Sequence, residues 1–412
     1  MARQSLSKDR IKVLLLEGIH ENAVADFAAD GYMSTERLPK ALAEDDLVRR
    51  IRGVHMLGIR SRTQLTRRVL ESADKLMAVG CFCIGTNQVD LDAARGLGVP
   101  VFNAPYSNTR SVAELVMGEV IMLMRGIFDK SALAHQGGWQ KSATGSSEVR
   151  GKTLGIVGYG HIGTQVGVLA EALGMRVRFF DTGKKLALGN AVPCASLDEL
   201  LSVSDVVTLH VPETPQTAGM IDRVRIARMR EGGFLINASR GTVVDIEALA
   251  DALKSGYLRG AAVDVFPREP QSDGERFESA LQGLPNTILT PHIGGSTQEA
   301  QAAIGNEVAG KLIDYSDVGS TIGAVNFPQV QLPVRSSGTR FLHIHRNVPG
   351  VLRRLNEVFT GRDYNIAAQY LQTDGEIGYV VVDLDAHVDD PAIIEEMRAI
   401  EGTLRARFLY DR

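Results

Sequence analysis

Short apolar runs alternate with helix-forming stretches along most of this sequence, a rhythm typical of parallel sheets covered by helices on both faces. The first series, Ile11 to Asn103, contains I-K-V-L-L-L, V-H-M-L-G-I, L-M-A-V-G and V-P-V-F-N. The second, Lys152 to Thr290, contains T-L-G-I-V, V-R-F-F, V-V-T-L-H, F-L-I-N, A-A-V-D-V and T-I-L-T. Between them S-V-A-E makes a capping box of Ser111 with Glu114, which predicts an inter-domain helix to about Met124. We therefore expect two α/β domains with doubly wound parallel sheets.

The last part of the chain has a different order of elements. From Arg340 to Arg412 the apolar segments predict strand, helix, strand, strand, helix, strand, which is the ferredoxin-like βαββαβ arrangement. A stretch with Pro328, Pro333 and S-S-G (336–338) precedes it and has the composition of a linker. A third, small domain is expected, since 412 residues exceed what one hydrophobic core usually organises.

Charge and composition exclude several classes of protein. A formal net charge of −4 argues against a nucleic-acid or anionic-membrane partner. No apolar run approaches the roughly 20 residues that span a bilayer, and the N-terminus lacks the apolar stretch of a secretory signal, so a cytoplasmic protein is expected. Cys81, Cys83 and Cys194 form no C-x-x-C pair, which predicts reduced thiols and neither a disulfide framework nor a metal site.

A glycine-rich turn joins a strand to a helix in the second series. The strand L-G-I-V leads into G-Y-G-H-I-G, where Gly158 permits a tight turn, Gly160 admits a pyrophosphate and Gly163 lets helix and strand pack closely. Asp181 ends the next strand, where a carboxylate can bind the ribose hydroxyls of NAD and repel the 2′-phosphate of NADP. NAD is the predicted coenzyme.

Three polar residues at or just beyond later strand ends have the types that oxidation of a 2-hydroxy acid requires. Arg240 in N-A-S-R-G offers a bidentate fork for a carboxylate. His292 in T-P-H-I-G-G-S titrates near neutrality and can accept the hydroxyl proton. Glu269 in P-R-E-P can orient the histidine and stabilise its charged form. Each alone would more often be structural, but together, after a dinucleotide turn, they predict a catalytic group.

Longer motifs identify a family. G-Y-G-H-I-G, N-A-S-R-G-T-V-V-D, A-A-V-D-V-F-P-R-E-P and L-T-P-H-I-G-G-S-T-Q-E-A resemble the D-isomer-specific 2-hydroxyacid dehydrogenases. The stretches 58–63 (G-I-R-S-R-T), 80–90 and 102–115 resemble the bacterial branch that acts on 3-phosphoglycerate. The resemblance covers essentially the whole chain. It implies oxidation of 3-phospho-D-glycerate to 3-phosphohydroxypyruvate with NAD, the first step of the phosphorylated route to L-serine.

The resemblance also implies roles for individual residues. The catalytic residues are then Arg240, Glu269 and His292. The coenzyme residues are Gly158, Gly160, His161, Ile162, Gly163, Asp181, Ala238, Ser239, Asp264, Gly294 and Gly295, the last two also being candidate hinges. The substrate residues are Arg60, Ser61, Arg62 and Asn108. Lys40 and Lys141 are further candidates for holding the substrate phosphate across subunits, although a solvated charge is the commoner role of a lysine.

The implied topology is discontinuous. A Rossmann coenzyme domain, 109–295, is inserted into a flavodoxin-like substrate domain, 1–108 and 296–335. The C-terminal part, 338–412, starts with F-L-H-I-H-R-N-V-P-G-V-L and resembles an ACT regulatory domain, which binds amino acids between paired copies. L-serine is the implied effector, His345, Asn347 and Asn365 its implied ligands, and a homotetramer the implied assembly. Val348 stands where the pattern carries arginine, so a purely dimerising domain stays open.

Two other functions remain open from the sequence. A related dehydrogenase would act on hydroxypyruvate or glyoxylate, and 2-oxoglutarate is a plausible side substrate because its distal carboxylate can mimic a phosphate. A non-catalytic, NAD-binding corepressor of the same fold is the second alternative.

Overall fold

The computed structural model describes residues 6–270, 274–334, 338–388 and 390–409. Ser336 and Ser337 of the predicted linker lie outside the described residues. Contacts divide the chain into two compact units, Met1–Ser107 with Gln301–Arg412, and Asn108–Ala300. Within the described part of the chain, no helix is long and apolar enough to cross a membrane.

The first unit begins with a sheet of five parallel strands. The strands are β1 (Lys12–Leu15), β2 (Ser34–Arg37), β3 (Met56–Ile59), β4 (Ala78–Cys81) and β5 (Val101–Asn103). The helices between them are α1 (Glu21–Ala29), α2 (Glu44–Arg50), α3 (Arg67–Glu71) and α4 (Leu91–Gly96). The order β2-β1-β3-β4-β5 is flavodoxin-like, and β3 to β5 are buried at every position because helices cover both faces.

The second unit contains seven parallel strands. They are β6 (Thr153–Val157), β7 (Arg176–Phe180), β8 (Val192–Pro193), β9 (Val206–Leu209), β10 (Gly233–Asn237), β11 (Leu258–Val263) and β12 (Thr287–Leu289). The helices are α5 (Thr109–Arg125), α6 (Ile127–His135), α7 (His161–Ala172), α8 (Leu197–Val203), α9 (Arg223–Ile226) and α10 (Ile246–Lys254). The strand order is β12-β11-β10-β9-β6-β7-β8. The chain therefore adds β7 and β8 on one side of β6 and then β9 to β12 on the other side. In sheets of this kind, ligands bind outside the carboxyl ends of the strands at the point where the order switches sides.

Helix α5 begins three residues earlier than the capping box predicted. Asn108 occupies the N-cap position, while the Ser111 hydroxyl lies 2.7 Å from the Thr297 hydroxyl. The Glu114 carboxylate accepts a hydrogen bond from Arg110 at 2.6 Å instead of turning back to the helix start. The predicted Ser111–Glu114 box is therefore wrong, because tertiary and helix-surface partners take both side chains.

Helix α11 (Gln298–Asp317) leads to the C-terminal part of the first unit. This part contains β13 (Thr339–Arg346), α12 (Val351–Thr360), β14 (Ile366–Thr373), β15 (Ile377–Leu384), α13 (Pro391–Ala399) and β16 (Thr403–Leu409). Its antiparallel sheet has the order β14-β15-β13-β16, and the βαββαβ prediction is confirmed. The two helices cover one face, around Phe341 and Val382. The other face adds Leu342, Ile344 and Tyr379 to the core of the first unit.

Arginines join this C-terminal sheet to the rest of the first unit. Arg340 is 1% exposed, pairs with Asp383 through two bonds of 2.6 and 2.7 Å, and donates to the carbonyl of Val318 at 2.9 Å. Arg405 donates to the Leu97 carbonyl at 2.7 Å. A buried guanidinium needs such acceptors, because an uncompensated buried charge is strongly destabilising. The C-terminal sheet is therefore an integrated part of this unit.

Candidate active site

The glycines of the predicted dinucleotide turn each meet a different spatial requirement. Gly158 directly follows β6 with φ +89°, and a Cβ there would lie 2.3 Å from the carbonyl oxygen of His210. A Cβ on Gly163 would lie 2.2 Å from the carbonyl oxygen of Gly158, where α7 packs on β6. A Cβ on Gly160 would meet no atom within 4 Å, so the space before the N-terminus of α7 is open. A pyrophosphate can approach the helix N-terminus there, beside His161 and Ile162 in its first turn.

Asp181 is the first residue after β7, at the same edge of the sheet. Its carboxylate accepts the backbone N–H of Tyr159 and that of Gly183, each at 2.9 Å. An ionised carboxylate offers about four acceptor positions, so two remain for ribose hydroxyls. The turn and the acidic residue therefore fit the adenosine part of NAD.

The loop after β10 is fixed by a buried asparagine that the sequence reasoning missed. The Asn237 side-chain oxygen accepts the N–H and the hydroxyl of Ser239, at 3.1 and 2.8 Å, and its amide donates to the Arg240 carbonyl at 3.0 Å. Ala238 and Arg240 are half-buried beside it. The signal was the polar residue that ends the apolar run F-L-I-N, because a buried amide must find partners.

His292 and Glu269 lie together in the second unit. His292 Nδ1 is 2.9 Å from Glu269 Oε2, and Glu269 Oε1 accepts the N–H of Phe266 at 3.0 Å. With Nδ1 engaged by the carboxylate, Nε2 is the ring nitrogen that can exchange a proton with a substrate hydroxyl. The pair has the geometry of a base and its orienting group.

The charges at this pair reinforce each other. The hydrogen bond to Glu269 raises the pKa of His292, against the smaller opposing effects of burial and of the Arg240 charge. Burial alone would raise the pKa of Glu269, but the hydrogen bonds from His292 and Phe266 N–H and the charges of His292 and Arg240 together lower it. Glu269 therefore stays ionised while the imidazole gains and loses its proton.

Asp264 holds the backbone on both sides of His292. It follows β11, is 2% exposed, and accepts the Thr290 hydroxyl at 2.6 Å and the N–H groups of Ile293 and Gly294 at 2.8 and 2.9 Å. His292 itself has φ +54°, a conformation that is strained for a residue with a side chain. The three bonds to Asp264 stabilise this loop conformation, which presents the imidazole.

Gly295 and Asn108 lie against each other at the start of α5. A Cβ on Gly295 would lie 2.5 Å from the side-chain nitrogen of Asn108. The side-chain oxygen of Asn108 is buried without a hydrogen-bond partner among the described residues. Asn108 belongs to the second unit, whereas the other predicted substrate residues belong to the first.

The predicted substrate residues Arg60, Ser61 and Arg62 form a loop after β3. Glu17 is a second residue that the sequence did not reveal, and its carboxylate binds the backbone of this loop. Oε1 accepts the N–H of Arg60 at 3.0 Å, and Oε2 accepts the N–H of Arg62 at 3.0 Å. Oε1 also accepts the N–H of Thr63 at 2.9 Å, and Glu17 has φ +60°. No local pattern marks Glu17, because its partners lie more than 40 residues away. Lys40 and Lys141 are exposed.

The three predicted effector residues do not come together within one chain. His345 is 3% exposed and its ring stacks on His343 with centroids 5.2 Å apart. Asn347 donates to the Asp374 carbonyl at 3.1 Å, and Asn365 donates to the Asp385 carboxylate at 2.8 Å.

Strand pairing gives the separation between them. His345 pairs with Gly378 near one end of β15, whereas Ile366, next to Asn365, pairs with Leu384 at the other end. At the rise of an antiparallel strand, the two ends lie roughly 20 Å apart. A site that contains all three side chains therefore needs a second copy of the domain.

Comparison with known proteins agrees with this fold. Residues 117–294 match the family model for the NAD binding domain of D-isomer specific 2-hydroxyacid dehydrogenases, and residues 341–405 match that for an AHAS small subunit-like ACT domain. D-3-phosphoglycerate dehydrogenase of Haemophilus influenzae is 58% identical over 406 residues, 98% of this chain and 99% of that protein. The Escherichia coli enzyme of the same name is 58% identical over 411 residues, 100% of both chains.

A solved structure shows the same fold. D-lactate dehydrogenase from Aquifex aeolicus, complexed with NAD and lactic acid, is 27% identical, with a TM-score of 0.64 over 74% of this chain and 95% of that one. One conclusion follows from the relatives that match over nearly their whole length, from the matching family models and from the dinucleotide turn at the carboxyl edge of the sheet. The chain belongs to the D-isomer-specific 2-hydroxyacid dehydrogenase family and is an NAD-dependent oxidoreductase.

Proposed function

We propose that this chain oxidises 3-phospho-D-glycerate to 3-phosphohydroxypyruvate with NAD, the first step in a route to L-serine. The observation that carries the proposal is the 58% identity, along the full length, to enzymes named D-3-phosphoglycerate dehydrogenase. The His292–Glu269 pair supports it, because oxidation of a 2-hydroxy acid requires a base of this kind.

In the proposed reaction, NAD held at the glycine turn and Asp181 would supply the acceptor for the hydride that leaves C2 of the substrate. His292 takes the proton of the C2 hydroxyl at Nε2, and the ionised Glu269 stabilises the resulting imidazolium. Arg240 binds the substrate carboxylate with its guanidinium and polarises the C2 oxygen. The reverse reduction uses the same residues with His292 starting protonated.

The substrate phosphate requires local positive charge, since the chain as a whole is acidic. We assign this role to Arg60 and Arg62 in the loop that Glu17 holds, with Ser61 and Asn108 as polar contacts. Lys40 and Lys141 are the next candidates. The same cations can hold the distal carboxylate of 2-oxoglutarate, whose reduction to 2-hydroxyglutarate is the proposed side reaction.

Regulation is assigned to the C-terminal domain. L-serine binds between two paired copies, with His345 and Asn347 from one chain and Asn365 from its partner, and restrains domain closure at Gly294 and Gly295. The ACT-domain match over 341–405 and the separation of these residues along β15 support this arrangement. The proposal includes a cytoplasmic homotetramer. Each chain has three domains, which are 1–108 together with 296–335, 109–295, and 338–412.

Rates of NADH oxidation with four 2-oxo acids test the proposed substrate. We expect phosphohydroxypyruvate to exceed hydroxypyruvate in kcat/KM by at least about 100-fold, because a site built for the phosphate leaves cations unpaired with a substrate that lacks it. 2-Oxoglutarate should react more slowly than phosphohydroxypyruvate. If the chain prefers hydroxypyruvate or glyoxylate, the proposal is wrong and the chain is the related hydroxypyruvate or glyoxylate reductase. NADH binding with no turnover of any acid would favour the corepressor-like function.

A further inference from the structure

Glu119 is a buried acid that the proposed reaction does not use. It lies in the middle of α5, is 3% exposed, and both of its carboxyl oxygens are buried without a hydrogen-bond partner among the described residues. An ionised carboxylate without partners is very unfavourable in such a place. Glu119 therefore carries a proton under ordinary conditions.

The helix face that carries Glu119 points toward the catalytic loop. Val112 and Leu115, on the same face and one or two turns earlier, lie 3.3 and 3.8 Å from the position of a Cβ on Gly294. The same position is 3.0 Å from Asp264 Oδ2. Helix α5 also packs directly on β11, which ends just before Asp264. The face of α5 that carries Glu119 therefore packs against the part of the unit that contains Asp264 and Gly294.

The two acids differ in their partners. Asp264 accepts three hydrogen bonds, from the Thr290 hydroxyl and from the N–H groups of Ile293 and Gly294, whereas Glu119 accepts none among the described residues. Burial, followed by the charge of Asp264, raises the pKa of Glu119 to about 8. Two nearby buried carboxyl groups cannot both be charged at low cost, and Glu119, which has no hydrogen-bond donor among the described residues, is the one that keeps its proton.

We propose that Glu119 and Asp264 form a carboxyl pair whose single proton resides on Glu119, and that this proton keeps the Thr290–Gly294 loop in the conformation that presents His292. Glu119 is then a positioning residue that acts through Asp264. Loss of its proton places a second negative charge beside Asp264 and weakens the hold of that carboxylate on the loop. Turnover should fall as Glu119 ionises.

Other charged groups do not account for the state of Glu119. The charged or titratable side chains on α5 and the elements packed against it are Arg110, Glu114, Arg125, Asp129, Lys130, His135, His161, Glu171 and Arg259. Strands β10 and β12 carry none. Apart from burial, Asp264 is the one group that shifts the pKa of Glu119.

Two measurements on the full-length chain test the pair. An infrared pH titration should show the C=O stretch of a protonated carboxyl group at neutral pH, and this band should disappear as pH rises through about 8. The band should be absent at neutral pH in Glu119→Gln and present in Glu114→Gln, a matched change at an exposed position of the same helix. This readout needs no substrate.

The second measurement is the pH profile of turnover, and it rests on the proposed function. Wild-type kcat in the oxidation direction should fall above pH about 8, approaching about tenfold per pH unit. Glu119→Gln mimics the protonated acid and should lose this alkaline decline, whereas Glu114→Gln should keep it. Glu119→Ala also lacks a group that can ionise and should likewise lose the alkaline decline.

The outcomes separate the two proposals. Absence of the band in the wild-type chain at neutral pH, or its persistence in Glu119→Gln, overturns the carboxyl pair even if a variant folds poorly. An alkaline decline that is unchanged in Glu119→Gln overturns the positioning role. Failure to oxidise phosphoglycerate overturns the proposed function alone, because the infrared result stands independently.

Discussion

At the scale of single residues, the protonation state of His292 determines whether the proposed site can oxidise the hydroxy acid or reduce the oxo acid. Oxidation needs a neutral His292, and the bond to Glu269 raises its pKa, so kcat/KM for oxidation should increase as pH rises through that raised value. In Glu269→Gln the main cause of the raised pKa is lost. The acid limb of the pH profile should therefore move to lower pH while the maximal rate falls. Initial-rate pH profiles of both proteins check this, and an unmoved acid limb would separate Glu269 from the histidine.

His292→Ala tests the base itself. Removal of a general base typically lowers the rate by ~10²–10⁴-fold. NADH binding, followed by fluorescence, should stay close to wild type because the dinucleotide turn is formed by residues of β6 and α7 and does not include His292. Near-normal kcat in this variant would refute the assignment.

Asp181 makes a prediction about coenzyme choice. Its carboxylate would face the 2′-phosphate of NADP, so like-charge repulsion and lost ribose hydrogen bonds should favour NAD strongly. Asp181→Ala should reduce the ratio of kcat/KM for NAD over NADP. Equal use of both coenzymes by the wild-type chain would show that the carboxylate does not bind the ribose.

Residue types and their positions relative to the strands predicted many residues of the candidate site. They did not predict the backbone conformation of its loops. Asp181 directly follows β7, close to the predicted end of that strand, whereas Asp264, which the run A-A-V-D-V placed inside a strand, directly follows β11. The left-handed backbone of His292 had no local signal, because it depends on bonds to Asp264, 26 to 30 residues earlier in the chain. Such long-range constraints are invisible to a window of sequence.

The same division holds at the level of elements. T-L-G-I-V and F-L-I-N became buried strands because their runs are apolar throughout. The start of α5 was predicted wrongly because Ser111 bonds to Thr297, a residue 186 positions away. Local patterns therefore predict that an element exists better than they predict where it begins.

The loop after β3 gives a prediction at this level. Glu17→Gln replaces one accepting oxygen by an N–H₂ group that cannot accept, so either the bond from Arg62 N–H or the two bonds from Arg60 and Thr63 N–H are lost. The KM for phosphoglycerate should rise roughly tenfold, equivalent to about one lost hydrogen bond to a charged group, while the KM for NAD stays unchanged. Steady-state kinetics measure both, with Glu21→Gln at an exposed position of α1 as the control. An equal rise in both KM values would indicate general destabilisation instead.

At the scale of the whole molecule, the C-terminal domain cannot be removed cleanly. One face of its sheet, with Leu342, Ile344 and Tyr379, belongs to the core of the first unit, and Arg405 donates to the Leu97 carbonyl. Truncation before β13 would expose this apolar surface to water and favour aggregation. Regulation is therefore better tested with substitutions in the intact chain.

Mixing two defective chains tests whether the serine site is shared. Asn347 and Asn365 lie at opposite ends of the C-terminal sheet, so each proposed site takes one from each chain. Asn347→Ala and Asn365→Ala alone should each raise the serine concentration needed for half inhibition, by about tenfold if one hydrogen bond to a charged group is lost. In a mixed pair, one site carries both substitutions and the other carries neither. The mixed assemblies can be purified from co-expressed chains that carry different tags. They should again be inhibited, in part, at the low serine concentrations that inhibit the wild-type chain. In calorimetry they should bind L-serine with near wild-type affinity and half the wild-type stoichiometry. Mixed assemblies as insensitive as either parent would show that the two asparagines do not share a site. No heat of serine binding to the wild-type chain at millimolar concentration, with activity unaffected, would mean that Val348 marks a domain that only pairs subunits.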